Sequence, residues 1–254
     1  MSNIMELIVF FIIGIVLGSF YNVVGYRLPQ GESIIKPKYS YCPNCHSRLK
    51  WYELIPILSY IIQLGKCRHC RNKISFSYPM IELLTGIMFA VSFYSFGYSY
   101  NLIIALVLSS LFSIVIVSDV NFLIIPDEVT IISAIIIMIA KFLDNGIIGG
   151  LKAIGSGILL FTVMYLIMLL GNFMFKKESL GGADIKLMFV AGLALGPILG
   201  FLVIFVSSIL ALPISLLIYV LDREHIIPFG PFIVAAMLIL FLLKIDLNTF
   251  ISLF

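Results

Sequence analysis

Charge is scarce in this chain of 254 residues: Lys and Arg number 16, Asp and Glu 13, together 11% of the whole. Apolar residues make up 61%, and the mean hydropathy is +1.15. A soluble domain of this length cannot be built from so little polar surface, so the composition predicts a polytopic membrane protein. A basic n-region is also missing. Residues 1–6 hold no Lys or Arg, and no small-residue cleavage site follows the apolar run at 7–24. That run is expected to be a retained first span, not a secretory signal. There is no glycine-rich nucleotide fingerprint, internal repeat, low-complexity tract or flexible linker. Nucleic-acid binding is not expected, because the basic residues gather in one loop that also carries all four cysteines.

What is present is a series of long apolar runs. They predict an all-α protein with about eight transmembrane helices, at 4–24, 78–96, 101–118, 129–143, 149–175, 184–195, 198–221 and 228–243. The apolar run at 185–221 is 37 residues long. As one helix it would measure about 55 Å, against a hydrocarbon core of about 30 Å. It must break, and Gly196-Pro197 is the natural point. Gly14/Gly18 and Gly192/Gly196/Gly200 have the small-residue spacing that lets helices pack closely in lipid.

Orientation follows from Lys and Arg. The loop 25–77, together with Lys176, Lys177, Lys186 and Arg223, holds 13 of the 16 basic residues. The other side has Lys141, Lys152 and Lys244. By the positive-inside rule both termini face outward and the large loop faces the cytoplasm. Three segments are expected: a first helix at 1–24, a cytoplasmic loop domain at 25–77 and a transmembrane domain at 78–254.

The loop contains Cys42-Pro43-Asn44-Cys45 and, 21 residues on, Cys67-Arg68-His69-Cys70. Two such pairs predict a tetrahedral four-cysteine site for a structural Zn²⁺, closed to substrate by its four thiolates. Disulfides are the plainer alternative, disfavoured in a reducing cytoplasm. His46 and His69 are expected to stay outside the ligand set. The apolar, aromatic stretch 51–60 suits either the core of this small domain or the membrane surface.

Two acids stand at the edges of apolar runs. Asp119 follows the third run, and Asp184 opens the sixth within Leu180-Gly181-Gly182-Ala183-Asp184-Ile185-Lys186. A carboxylate at membrane depth is costly and marks a functional site by default. Span parity brings both to the cytoplasmic face, where they could share a proton and activate a water. Taken alone, Asp184 reads as a helix cap; Asp127 in Pro126-Asp127-Glu128 is a rival to Asp119 for the catalytic role but reads mainly as a helix-start acid, so Asp119 is favoured. Asn22 and Glu82 read as local pairing or capping groups, and Pro228-Phe229-Gly230-Pro231 as a loop-to-helix transition.

In this order the pieces resemble the type IV prepilin peptidases, which are bifunctional leader peptidase/N-methyltransferases. The resemblance covers nearly the whole chain. It runs from Gly18–Val24 and Tyr26-Arg27-Leu28-Pro29 through the two cysteine pairs, Gly65-Lys66-Cys67, Tyr78-Pro79 and Glu82–Gly86. It continues through Asp119 with Ile125-Pro126-Asp127, then Gly181–Lys186 and Pro228–Pro231. Ala183 replaces the second glycine of the usual G-x-G-D, which is tolerable where the backbone φ is negative. The resemblance implies a membrane-embedded aspartic endopeptidase with Asp119 and Asp184 as its catalytic pair. Its substrates would be type IV prepilins or pseudopilins, cleaved at the cytoplasmic face of the bacterial inner membrane. It also implies N-methylation of the new N-terminus with S-adenosylmethionine, for which Gly65, Lys66 and Glu82 are candidate residues. A peptidase with a purely structural zinc loop, a transporter and a non-catalytic membrane scaffold are the alternatives.

Overall fold

The computed structural model describes residues 4–176, 181–221 and 227–244. The expected orientation residues Lys177 and Arg223 lie outside them. The elements are helices: α1 (Ile4–Arg27), α2 (Leu58–Ile62), α3 (Ser77–Phe96), α4 (Tyr100–Phe122), α5 (Asp127–Phe175), α6 (Gly182–Leu195), α7 (Pro197–Leu221) and α8 (Gly230–Leu242). Among the described residues there is no β-strand beyond two isolated bridges. Among the described residues five helices are long and apolar enough to cross a membrane: Ile4–Gln30, Ser77–Phe96, Tyr100–Phe122, Asp127–Met174 and Pro197–Ile218. Helices satisfy their own backbone hydrogen bonds, which is the condition for spanning hydrocarbon.

The chain forms two compact units, Met1–Gly97 and Tyr98–Phe254. In the first, α1 packs on α3 through small residues. A Cβ on Gly14 would lie 2.7 Å from the Thr85 carbonyl oxygen and 2.8 Å from the Gly86 Cα. Dispersion contacts of this kind hold helices together in lipid, where hydrophobic transfer supplies no driving force. The Phe10 and Phe93 rings stack 4.3 Å apart at the far end of the pair. α3 thus lies in one compact unit with the first helix and the loop.

In the second unit α4, α5, α6 and α8 share a core that includes Leu108, Leu111, Ile137, Leu187, Met188 and Met237. Two glycines set the register of the chain through it. Gly146 has φ 65° and ψ −171°, so the 49 residues of α5 are two helical stretches joined at a kink. Gly196, with φ 82°, ends α6, and Pro197 begins α7. The apolar run therefore breaks at Gly196-Pro197, where φ is positive and proline favours a helix start. α6 is short at 14 residues, and most of its side chains are buried. Its close fit to α5 depends on Gly192, where a Cβ would stand 2.5 Å from the Ser156 carbonyl oxygen.

Candidate active site and metal centre

Asp119 lies in the last turn of α4, which continues to Phe122, beyond the expected end at 118. Leu123, left-handed at φ 55°, stops the helix and donates its N–H to the Asp119 carbonyl at 2.9 Å. The Asp119 side chain is buried among the ends of other elements. Its Oδ2 accepts the backbone N–H of Gly230, the first residue of α8, at 3.0 Å. A Cβ on Gly230 would sit 2.5 Å from Ile125 Cδ1 and 2.9 Å from that same Oδ2. Only glycine fits here without displacement. Sequence reasoning read Gly230 as part of a simple loop-to-helix transition and missed this contact. The signal was Gly230 followed by Pro231 within the motif that carries the family resemblance.

Asp184 stands in the first turn of α6. The capping position belongs to Gly181, which makes no side-chain cap, so Asp184 is not the N-cap residue. Its N–H bonds the Gly181 carbonyl at 3.1 Å. Ala183 is helical and absent from the positive-φ residues, so the backbone there does not require glycine. The Asp119 and Asp184 carboxyl groups are within electrostatic reach of each other.

Asp127 is the first residue of α5, with Pro126 as N-cap, as its helix-start reading implies. It also pairs with the Lys186 ammonium, two residues beyond Asp184. That ion pair joins the starts of α5 and α6, a link the sequence reading did not include.

In the first unit the four thiols of Cys42, Cys45, Cys67 and Cys70 converge, all Sγ atoms lying within 4.8 Å of one another. Cys42 and Cys70 Sγ are 3.9 Å apart. The S–S edge of a tetrahedral zinc tetrathiolate is about 3.8 Å for Zn–S of about 2.3 Å, so the donor set fits Zn²⁺. Neither His46 nor His69 belongs to the cluster. The Ser47 hydroxyl and N–H draw the Cys45 thiol down to about 6, while burial pushes Cys42 up to about 11. The Asn72 backbone N–H and the Asn44 amide lower Cys70.

The two knuckles fold alike. Cys42 N–H bonds Ser47 O and His46 N–H bonds Cys42 O; Cys67 N–H bonds Asn72 O and Arg71 N–H bonds Cys67 O. His46 and Arg71 both have positive φ, and the bridges Tyr41–Arg48 and Lys66–Lys73 close the two turns identically. The similarity lies in the backbone, where only the cysteines constrain residue type.

Other loop residues have structural partners. The buried Arg27 guanidinium donates to the carbonyls of Ser33, Ile34, Pro37 and Tyr39 at 3.2–3.3 Å and lies 5.8 Å from the Tyr41 ring centroid. Glu82, buried on α3, accepts the Ile57 N–H at 2.7 Å and a bond from Ser19. Asn22 donates to the Gly18 and Tyr78 carbonyls at 3.3 Å. Gly65 adopts φ 66°, and a Cβ there would be 2.9 Å from the Tyr60 hydroxyl. Lys66 is exposed. The stretch 51–60 does not form a packed core, since Glu53 is its one buried residue. Glu53 accepts the Lys50 N–H at 2.8 Å and faces Arg68.

Residues 12–96 match the bacterial peptidase A24 N-terminal domain, and residues 105–216 match the type IV leader peptidase family. A prepilin leader peptidase/N-methyltransferase of Bacillus subtilis is 40% identical over 74% of this chain and 73% of its own length. Proteins of the same name from Neisseria gonorrhoeae and Vibrio cholerae are 30% and 32% identical. They cover 87% and 92% of this chain, and 84% and 96% of their own lengths. No solved structure matches the chain. With both family matches in chain order and identity sustained over most of its length, the chain belongs to the type IV leader peptidase family.

Proposed function

We infer that this protein removes the leader peptide of type IV prepilins or pseudopilins and N-methylates the new N-terminal residue, the two activities named in its relatives. What supports the reading is that Asp119, in the last turn of α4, and Asp184, in the first turn of α6, are within electrostatic reach of each other. We assign them as the catalytic pair. One carboxylate takes a proton from water as the oxygen attacks the scissile carbonyl carbon. The other carboxyl gives its proton to the carbonyl oxygen. When the C–N bond breaks, the leaving amine takes up a proton from the pair. The Gly230 N–H fixes Asp119 Oδ2, so one oxygen of that residue is positioned before substrate arrives.

The four cysteines would hold a structural Zn²⁺ that shapes the loop, with no open position for substrate. S-adenosylmethionine is the methyl donor and acts as a substrate. The deprotonated amine would take the methyl group from the sulfonium, leaving the thioether S-adenosylhomocysteine, and the methylated ammonium can then lose a proton to water. Gly65, Lys66 and Glu82 remain candidates for that step. Their support is position, at the second knuckle and at the α3 contact with the loop. The Lys and Arg distribution supports an inner-membrane protein of eight spans with its active site on the cytoplasmic side. The kink at Gly146 and the short helices α6 and α8 are the segments that would make up the spans beyond the five long helices. The domain order proposed is a first helix, a zinc loop and a peptidase domain at 78–254.

The test is co-expression with a prepilin and mass spectrometry of its N-terminus. Wild type should give cleaved, methylated product. Asp119→Asn and Asp184→Asn should each abolish cleavage with the protein still inserted, and the double variant should be little worse than either. Full processing by Asp184→Asn overturns the assignment.

A further inference from the structure

The segment that links the two cysteine knuckles exposes an unusual amount of apolar surface. Leu54, Ile55, Leu58, Ile61, Ile62 and Leu64 are all exposed, Ile62 at 68% and Leu64 at 84%. Trp51, the sole tryptophan of the chain, is 78% exposed. Single exposed apolar residues need no explanation, but a contiguous group marks a contact surface.

This surface continues into the outward face of α3. Phe76, Met80, Leu83, Ile87, Val91 and Tyr94 are exposed at steps of three and four residues, which is one stripe along the helix. Such a stripe on a spanning helix faces lipid. The α2 segment is tied to the start of that stripe, with the Tyr60 ring 6.2 Å from Phe76 in an edge-on contact. The Gly65 N–H bonds the Tyr60 carbonyl, and the Ile74 N–H bonds the Gly65 carbonyl at 2.7 Å, so the loop turns back toward α3 at this point. Flanking the apolar group are Lys50, Lys66, Arg68, Arg71 and Lys73. Apolar side chains bordered by Lys and Arg are the composition of a segment lying in the interface of an anionic bilayer.

We propose that residues 54–64, with Phe76, dock on the surface of the bilayer that α3 crosses. The apolar side chains enter the headgroup–acyl boundary, and the neighbouring cations meet anionic headgroups. The metal knuckles are thereby anchored at the membrane at a second point besides the helix ends.

The full-length protein is reconstituted in vesicles of anionic and zwitterionic phospholipid. A Trp51→Phe background carries one new tryptophan at a time: Leu58→Trp, Ile62→Trp or, as a control in the α3 stripe, Ile87→Trp. Zinc content and leader cleavage confirm folding. The proposal expects lipids brominated near the headgroup to quench positions 58 and 62 at least twofold, with aqueous iodide quenching them weakly. The Ile87→Trp control should respond to lipids brominated deeper in the chain. Strong iodide quenching at 58 and 62 without bromolipid quenching places the segment in water and overturns the proposal. Shielding from both quenchers means that protein covers it and equally overturns it. Failure of the Ile87→Trp control removes the lipid-facing stripe on which the inference rests.

Discussion

The backbone N–H of Gly230 donates to Oδ2 of Asp119 at 3.0 Å, joining residues 111 positions apart. A hydrogen bond to a charged group contributes about 1.5–3 kcal/mol. If that contribution is expressed in the transition state, its loss slows cleavage roughly 10- to 100-fold. Gly230→Ala places a methyl group against both Ile125 and the carboxylate. It should therefore lower the kcat of leader cleavage by at least tenfold while zinc content stays normal. Wild-type kcat in this variant would show that the contact does not position the acid.

Lys186 and Asp127 make a different kind of link. Both side chains are about half exposed, so the pair contributes only about 0–1 kcal/mol to stability. Its expected role is to keep the start of α6, and with it Asp184, in register with α5. Asp127→Asn should reduce cleavage only about 2- to 5-fold, in line with the loss of about 0.5–1 kcal/mol. Exchanging the charges in Asp127→Lys/Lys186→Asp should recover much of that loss. Complete inactivity of Asp127→Asn would instead make Asp127 one of the reacting carboxylates.

The cysteine cluster should hold close to one zinc per chain in purified protein. Cys42→Ser removes a buried ligand and should abolish zinc retention, measured by metal analysis. Two disulfides found by mass spectrometry of the native protein would exclude this site.

The two activities should separate. Glu82→Gln weakens the carboxylate's hold on the Ile57 N–H, and Gly65→Ser strains a left-handed turn against Tyr60. Both are expected to lower methylation of already cleaved pilin more than cleavage itself. Asp184→Asn should retain methyl transfer to cleaved pilin. If it folds yet cannot methylate, the reactions share one site.

Features governed by neighbours in the chain were legible from residue type. The break at Gly196-Pro197 follows from a proline and a positive-φ glycine, and helix over the apolar runs follows from the backbone's need for internal hydrogen bonds in lipid. The C-x-x-C pairs pointed to a four-thiol cluster able to hold a metal, because two residues are the spacing of a tight turn. Asp119 and Asp184 stood out because a carboxylate is costly beside hydrocarbon. The electrostatic reach between them, the hold of Gly230 on Asp119 and the ion pair of Asp127 with Lys186 across 59 positions were decided only by tertiary structure. So was the fate of residues 51–60, whose composition suited a small core or a membrane surface equally well. Composition favours removing such side chains from water; only the folded chain shows that, apart from Glu53, none of them is buried in a core of the loop.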